Sequence, residues 1–211
     1  MPQYWLMKTE PETFSIDDLE RVKIEPWTGV RSMFARFHMR NMNVGDEVLF
    51  YHSSTEPPGV AGLAKVVKTR VIDETQFDPK SPYYDPKATR EKPIWDCVDV
   101  EFVRRLPRYV QLAEIRLQPA LEDMPLLQRG MRLSVQPVTE AQYRRIVEMA
   151  DEPAPPEELL KNAPVKWPAR KGGAAPRKPT TKQQQKAKKP RTGKGKGTGT
   201  AKAKTKAKPR R

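Results

Sequence analysis

Two histidines and a single cysteine are the residues of this sequence best suited to acid–base or nucleophilic chemistry. His52 is followed directly by Ser53, which superficially pairs a general base with a hydroxyl nucleophile. Adjacent residues of a β-strand point to opposite faces of a sheet, so these two side chains could not act together from within a strand. With Cys97 and His38 included, the set still lacks the ligand spacing of a four-coordinate zinc site. The sequence therefore predicts neither a catalytic pair nor a metal site at these residues.

Other catalytic patterns are absent from the sequence as well. It has no nucleophile elbow, no glycine-rich phosphate loop, no deaminase-type HxE and CxxC pair, and no acidic metal cluster. Asp78 and Asp85 each precede a proline, which is typical of turns. We predict a protein without catalytic residues, cofactor or metal. An enzyme that modifies a flipped base of nucleic acid stays open as an alternative.

The charge is distributed unevenly along the 211 residues. Residues 1–162 carry 22 Lys and Arg against 26 Asp and Glu, whereas residues 163–211 carry 18 basic and no acidic residues. The net charge of +14 therefore comes from the C-terminal part. The single cysteine excludes a disulfide framework and favours a reducing compartment. With no long apolar run for a signal peptide or a membrane span, we expect a soluble intracellular protein.

The composition divides the chain into a globular domain over residues 1–150, a Pro/Glu-rich linker over 151–168 and a basic tail over 169–211. The tail lacks apolar periodicity, so we expect it to be disordered. Such a tail would bind nucleic acid through counterion release, with a strong dependence on salt and none on sequence. The residues expected to make these non-specific contacts are Arg170, Lys171, Arg177, Lys178, Lys182, Lys186, Lys188, Lys189, Arg191, Lys194, Lys196, Lys202, Lys204, Lys206, Lys208, Arg210 and Arg211.

The elements that must position any site can be predicted from apolar periodicity, turns and capping residues. We predict strands over residues 4–8, 47–51, 59–72, 95–105 and 132–138, and helices over 16–22, 31–41, 112–116, 120–128 and 140–149. Ser15 with Asp18, and Thr139 with Gln142, are capping-box pairs that start two of these helices. Strands and helices follow one another without βαβ regularity, so we expect an α+β protein with a mostly antiparallel, curved or closed sheet and peripheral short helices.

The predicted helix over residues 31–41 has an amphipathic pattern. Met33, Phe34 and Phe37, with Met42 just beyond the helix, are its large apolar residues. We expect them to form one face that is buried against the sheet.

Several strand ends and loops carry more aromatic, hydroxyl and amide residues than core filling requires. These segments are residues 4–11, 27–31, 45–46 with 50–53, 76–79 with 83–86, and 132–138. Tyr83 and Tyr84 are adjacent in a polar loop over residues 73–95. A loop of this length is uncommon in a compact domain unless it has a function. If these ends converge, they form a small aromatic-walled pocket with hydrogen-bonding groups, which suits a flat ligand such as a nucleobase.

The same segments resemble the EVE domain family over roughly residues 3–149. This resemblance implies a PUA-like fold, related to YTH and ASCH domains, with a curved mixed β-barrel and peripheral short helices. YTH domains read methylated adenine in RNA with an aromatic cage, and EVE domains are thought to read modified bases, notably modified cytosines in DNA. The family has no established catalytic activity. The basic tail lies outside the resemblance.

The resemblance also implies which residues form the base pocket. Thr9 stands where the family has Ser and keeps its hydroxyl, whereas Ser32 stands where the family often has Asn. The implied pocket residues are Lys8, Thr9, Glu10, Trp27, Gly29, Val30, Arg31, Arg36, Tyr51, His52, Ser53, Tyr83, Tyr84, Asp85, Ser134, Val135 and Gln136. Within this set we expect His52 to be a hydrogen-bonding wall of the pocket, with a purely structural histidine as the alternative.

We therefore predict a nucleic-acid-binding module that reads a modified nucleobase, with DNA favoured over RNA and no membrane contact. The basic tail would add non-specific affinity while the globular domain supplies selectivity. We expect a cytoplasmic, nucleoid-associated protein, or a nuclear one if the source is eukaryotic. Besides the enzyme, the other alternative is a histone-like compaction protein in which the domain only displays the tail.

Overall fold

Six strands form one mixed sheet in the computed structural model of the chain, which describes residues 1–164. The strands are β1 (Tyr4–Thr9), β2 (Ile24–Pro26), β3 (Glu47–His52), β4 (Gly59–Ile72), β5 (Asp96–Gln111) and β6 (Val135–Val138). The α-helices are α1 (Ile16–Val22), α2 (Met33–Arg40), α3 (Leu112–Leu117), α4 (Glu140–Asp151) and α5 (Glu157–Lys161). Short 3-10 turns cover Glu74–Phe77, Pro119–Leu121 and Pro125–Leu127. The predicted basic tail and the last residues of the linker lie outside the described residues.

The sheet is mostly antiparallel, as predicted. Its strand order is β2-β5-β4-β3-β1-β6, and only β1 and β3 run parallel within the described part of the chain. The register between the two longest strands, β4 and β5, shifts at several points. Such irregularities increase the local twist and bend, which lets a long sheet curl. The predicted α+β fold, with a curved mixed sheet and peripheral short helices, is confirmed, but the sheet does not close into the predicted PUA-like β-barrel, because β2 and β6 are its two edges within residues 1–164.

Both faces of the sheet are covered by apolar side chains, and the central strand β3 is buried at four consecutive positions, from Val48 to Tyr51. In β3, Val48 and Phe50 point into one cluster, while Leu49 and Tyr51 point into another on the opposite face. We call the cluster around Phe50 the first core and the cluster around Leu49 the second core. A strand that is buried on both faces loses the alternating apolar pattern of a half-exposed strand.

Local capping interactions fix two helix starts, as the sequence predicts. The Ser15 hydroxyl accepts from the Asp18 backbone N–H at 3.1 Å, and the Asp18 carboxylate accepts from the Ser15 N–H at 3.0 Å. Thr139 and Gln142 make the same reciprocal pair at 3.2 and 3.0 Å before α4. Each pair satisfies backbone donors that a helix start otherwise leaves unpaired.

The prediction for the buried face of α2 is wrong for its three residues within the helix, whereas Met42, just beyond it, is buried in the first core as predicted. Met33, Phe34 and Phe37 are 59%, 74% and 61% exposed, whereas Ala35 and Met39 point into the first core. Residues 35 and 39 are one helical turn apart and share a face, and the exposed residues lie on the opposite one. Apolar periodicity shows that a helix has a face, but not which face the core can accept.

Other differences are in the lengths of elements. The three-residue edge strand β2 was not predicted, because Ile24–Pro26 is too short to show alternation. Strand β5 continues to Gln111, well beyond the predicted end at residue 105. The predicted helix over residues 120–128 is instead two 3-10 turns that begin at Pro119 and Pro125, since proline at a first position starts a turn readily.

The lone thiol is a core residue rather than a reactive one. Cys97 is 1% exposed in β5, and burial raises its pKa to about 12, with the nearby carboxylates of Asp73 and Asp99 adding to the shift. A thiol with so high a pKa holds almost no nucleophilic thiolate at neutral pH. Among residues 1–164, no helix is long and apolar enough to cross a membrane.

Candidate base-binding site

A cavity of about 490 Å³ opens where the end of β1, strand β2 and the loop before α2 meet. Its volume is within the range of small-molecule sites, roughly 300–1,000 Å³. The residues that line it are Lys8, Thr9, Glu10, Thr13, Phe14, Glu25, Pro26, Trp27, Thr28, Gly29, Val30, Ser53, Tyr83, Arg132 and Ser134. The cavity thus combines aromatic walls with hydroxyl groups and charges of both signs.

Three aromatic residues of the cavity differ in how firmly the fold holds them. Trp27 is 7% exposed and packs edge-on against Phe50, with ring centroids 5.5 Å apart. Phe14 packs against the same Phe50 ring at 6.5 Å. Tyr83, in the long loop between β4 and β5, is 39% exposed. Trp27 and Phe14 therefore extend from the first core into the cavity, and Tyr83 closes it from a loop.

The buried carboxylate of Asp73 fixes the loop that carries Trp27. Asp73 is 1% exposed, and it accepts hydrogen bonds from the Gly29 N–H at 2.9 Å, the Arg31 guanidinium at 2.7 Å and the Thr75 N–H at 3.0 Å. Burial raises the pKa of Asp73, but the bonds from Arg31, Thr75 and Gly29 outweigh it and hold the pKa below its ordinary value. The charged form is thus stabilised where the cavity wall begins.

Gly29 allows Tyr83 to approach this loop. Gly29 has φ +80°, and a Cβ placed on it would lie 2.8 Å from two ring carbons of Tyr83. The Arg31 guanidinium donates from Nε to the Tyr83 carbonyl at 2.7 Å and lies 5.5 Å from the centroid of its ring. A glycine tolerates both the positive φ and the close ring. Arg31 does not line the cavity; it positions Tyr83 and joins it to Asp73.

The charged groups of the cavity include two carboxylates, of Glu10 and Glu25, and the guanidinium of Arg132. Burial, with the charge of Asp99 adding to it, raises the pKa of Glu25 above its ordinary value. Glu10 accepts from the Ser54 hydroxyl at 2.8 Å. Arg132 is exposed, and within residues 1–164 it makes no ion pair. The cavity therefore offers carboxylate acceptors together with a guanidinium that is available to a ligand.

The predicted pocket residues divide between those that line this cavity and those that do not. Lining residues are Lys8, Thr9, Glu10, Trp27, Gly29, Val30, Ser53, Tyr83 and Ser134. The others are Arg31, Arg36, Tyr51, His52, Tyr84, Asp85, Val135 and Gln136. Residues from most of the predicted segments line this cavity, but none of residues 45–46 and 76–79 does.

Tyr51 and His52 require a correction. Tyr51 is 3% exposed within the second core, on the sheet face opposite Phe50. His52 accepts at Nε2 from the Ile16 backbone N–H at 3.1 Å, at the start of α1. His52 is therefore a structural histidine that ties the end of β3 to a helix, and the cavity is walled at this strand end by Ser53 instead. The Ser53 hydroxyl and N–H both donate to the Thr9 carbonyl, at 3.1 and 2.7 Å.

Lys8 lines the cavity, but its charge is directed elsewhere. Its ammonium lies 5.9 Å from the centroid of the Tyr51 ring. Strand alternation places Lys8 on the same face as Leu6, toward the second core, while its backbone N–H donates to the Ser134 carbonyl at 2.7 Å. Burial lowers its pKa below the ordinary value. Lys8 is thus a backbone element of the cavity rather than a cation within it.

The remaining predicted residues support the site from behind or lie apart from it. Val135 is fully buried in the first core, and the Gln136 amide donates to the Leu133 carbonyl at 2.8 Å. Arg36 donates to Asp96 at 2.6 Å.

The loop over residues 73–95 also contributes residues that do not line the cavity. Asp85 accepts from the Trp95 indole N–H at 2.8 Å, which anchors this loop to the start of β5. Tyr84 is 41% exposed. Its neighbour Tyr83 is the one of the pair that faces the cavity.

Sequence reasoning missed several lining residues, namely Thr13, Phe14, Glu25, Pro26, Thr28 and Arg132. Glu25 and Pro26 belong to β2, the strand that was not predicted. Arg132 begins one of the segments with an unusual density of polar residues, so the signal was present there. Phe14 stands between β1 and α1 without any periodicity that could show its direction.

The pH dependence of stability should reveal the role of His52. Burial lowers the pKa of His52 and outweighs the opposing charge of Asp17. The unfolded chain takes up this proton near pH 6.5, and the folded chain only at lower pH. Stability from His52 is therefore complete above the unfolded pKa and is lost as pH falls through the folded pKa. We expect His52→Gln, which keeps an acceptor for Ile16 but cannot titrate, to lose less stability than wild type between about pH 7.5 and 5.

Denaturant titrations at a series of pH values measure this difference. The pH profile of His38→Gln is measured for comparison. Burial also lowers the pKa of His38, so this substitution should change the profile in the same direction. An unchanged pH profile in His52→Gln would contradict the structural role.

Comparisons with known proteins show relatives over the whole globular part. The sequence profile of the EVE domain family matches residues 3–149. Thymocyte nuclear protein 1 of Danio rerio is 40% identical over 172 residues, which cover 72% of this chain and 74% of that protein. A hypothetical protein from Leishmania major has a solved structure with a TM-score of 0.69 at 50% identity, covering 72% and 96% of the two chains. The human THYN1 protein, solved in complex with 5-methylcytosine containing DNA, gives a TM-score of 0.68 at 37% identity, covering 72% and 99%.

Proposed function

The chain belongs to the EVE domain family, and from this premise we propose that it binds DNA and reads a modified cytosine in the cavity between Trp27 and Tyr83. The family and a relative that was solved with 5-methylcytosine containing DNA point to a binding protein rather than an enzyme. In this chain, the cavity between Trp27 and Tyr83 would be the site that holds the modified base.

The observation that carries the proposal is the aromatic wall next to hydrogen-bonding groups. Phe14, Trp27 and Tyr83 supply aromatic surface on which a base could stack. Base-on-aromatic stacking is worth about 1–3 kcal/mol per base. A base reaches such a cavity only from a single strand or after it leaves the duplex stack.

The polar residues of the cavity fit the edge of a cytosine. The exocyclic amine of a cytosine can donate hydrogen bonds to carboxylates such as those of Glu25 and Glu10. The neighbouring acceptor atoms of the base can accept hydrogen bonds from a donor such as Arg132. A methyl group at C5 would require apolar surface, which Val30 and Trp27 supply.

A binding panel tests the proposal. Full-length protein is titrated with matched oligonucleotides that carry cytosine, 5-methylcytosine or other modified bases, as DNA and as RNA. We expect tighter binding to one modified DNA than to its unmodified twin, and an unchanged oligonucleotide mass after incubation. Equal affinity for all twins would overturn base reading. A change of mass would favour the enzyme alternative.

We further propose that the basic tail over residues 169–211 adds affinity without selectivity. Its support is the charge asymmetry of the sequence, with 18 basic and no acidic residues after residue 162. The same asymmetry favours a location with the cellular DNA, at the nucleoid or in a nucleus. A histone-like compaction role is the competing reading.

Truncation after residue 164 separates selectivity from affinity. We expect the truncated protein to keep its preference for the modified base but to bind all DNA more weakly. Its affinity should also fall less steeply between roughly 50 and 200 mM salt, since fewer phosphates are neutralised. Affinities of both proteins for one duplex at several salt concentrations measure the two slopes. Equal slopes would contradict the role of the tail, and an isolated tail that binds as well as the whole chain would favour compaction.

A further inference from the structure

The outer face of α2 is an apolar surface exposed to solvent. It consists of Met33, Phe34 and Phe37, each more than half exposed. Single exposed apolar residues are normal, but three large ones within two helical turns form a patch of the kind that marks an interaction surface.

This outer face begins at the edge of the cavity. Val30 lines the cavity, and Ser32 caps the helix by accepting from the Ala35 N–H at 3.4 Å. Met33 and Phe34 therefore lie in the first turn after the cavity wall, and Phe37 lies one turn further, about 5 Å along the axis. In the chain, the outer face therefore follows the wall of the cavity within a few residues.

The charges beside the outer face suit a polyanion. Helix α2 contains Arg36, His38 and Arg40 and no acidic residue. Arg36 and Arg40 share one carboxylate, that of Asp96, at 2.6 and 2.9 Å. Two guanidinium groups on one carboxylate leave a net positive charge, and Arg40 is 47% exposed. Apolar side chains flanked by such charge fit the bases and phosphates of DNA better than a second copy of the same basic helix.

We propose that the outer face of α2 is a wedge that enters the duplex next to the base in the cavity. Phe34, supported by Met33 and Phe37, takes the place in the stack that the extruded base leaves, and Arg40 contacts a neighbouring phosphate. Unstacking and extrusion cost a few kcal/mol. An aromatic ring in the vacated space restores stacking on both sides and offsets part of that cost. This inference rests on the proposed function of the cavity and adds the means by which a duplex is opened.

Binding to duplex and single-stranded DNA separates the wedge from the cavity. In a single-stranded oligonucleotide the base can enter the cavity without leaving a vacant space in a duplex stack, so no wedge is needed. We expect full-length Phe34→Ala to bind a duplex with one 5-methylcytosine about 10-fold more weakly than wild type, and the single strand of the same sequence with unchanged affinity. A 2-aminopurine next to the modified base should also brighten less on binding of the variant, because fewer duplexes are opened.

Leu159→Ala is the matched control, since Leu159 is 52% exposed on α5 and belongs to another helix. It should bind both substrates like wild type. Because Phe34 is 74% exposed and contributes little to the core, Phe34→Ala should unfold at the same temperature as wild type.

The outcomes keep the two proposals apart. If wild type does not prefer the modified base even as a single strand, the proposed function fails and the wedge falls with it. If that preference holds but Phe34→Ala keeps its duplex affinity, or loses duplex and single-strand affinity equally, only the wedge is overturned. A wild-type dimer that Phe34→Ala dissociates, with DNA affinity unchanged, would assign the face to contact between copies and would overturn the wedge as well.

Discussion

Replacing Asp73 with alanine is expected to lower the free energy of unfolding by about 3 kcal/mol, the lower end of the cost of breaking a buried ion pair. The substitution removes the acceptor of the Gly29 N–H, the Thr75 N–H and the Arg31 guanidinium. Arg31 is itself only 22% exposed on its side chain, so its charge would stay largely desolvated without a partner. Denaturant titration of the variant and the wild type measures the difference.

The same substitution should also weaken selective DNA binding. Asp73 holds the loop of Trp27 through Gly29, and it holds Tyr83 through Arg31. Two aromatic walls of the cavity therefore depend on one carboxylate that does not line the cavity. Binding is measured in the absence of denaturant and corrected for the folded fraction that the titration gives, so that lost selectivity reports displaced walls rather than unfolding.

Asp78→Ala is the control for Asp73. Asp78 lies five residues along the same loop and is exposed, and its carboxylate accepts from the local Lys80 N–H at 2.9 Å. Its loss should cost about 0.5 kcal/mol or less, as is usual for surface substitutions. Asp73→Asn, which keeps one acceptor oxygen, should fall between the two. Similar losses for Asp73→Ala and Asp78→Ala would contradict the anchoring role.

Tyr83→Ala is expected to reduce the affinity for the modified oligonucleotide by about 10-fold, with little effect on an unmodified one. The ring of Tyr83 lies directly over Gly29 and faces the cavity. It is 39% exposed, so its removal should leave the core intact. Trp27 is a less decisive position, because at 7% exposure its removal would also damage the first core. Titration of matched oligonucleotide twins by the variant measures the selective part.

Tyr84→Ala provides a matched control for this experiment. The two tyrosines are neighbours with almost equal exposure, 39% and 41%, but only Tyr83 lines the cavity. Tyr84→Ala should therefore bind both twins like wild type. If the two variants lose selectivity to the same extent, the loop acts through its conformation, and the stacking role of Tyr83 is contradicted.

Local features of the fold could be predicted because their causes lie within a few residues of sequence. The capping pairs of Ser15 with Asp18 and Thr139 with Gln142 form as predicted, since each needs only one helical turn. The bounds of β4 agree for the same reason, because a run rich in β-branched and other apolar residues favours a strand locally. The edge strand β2 was missed because it is a strand only through its pairing with β5.

The direction of each side chain at the site depended on pairing between distant segments. The His52 side chain points toward the start of α1, because it accepts a hydrogen bond from the backbone N–H of Ile16, 36 positions away. Glu25 reaches the cavity only because β2 pairs with β5. Interactions of this kind leave no local periodicity, so the sequence could indicate the segments that converge but not the atoms that face one another.

The sequence by itself determined the family resemblance, the mostly antiparallel α+β fold, the basic tail and the loops from which a cavity would form. Only the tertiary structure decided that Ser53 rather than His52 borders that cavity, that Asp73 holds its wall, and that the phenylalanines of α2 remain in solvent. The physical reason is that burial of a particular side chain depends on the space left between packed elements. Periodicity and composition describe an element alone, whereas that space exists only once the sheet has curled and the helix has settled against it.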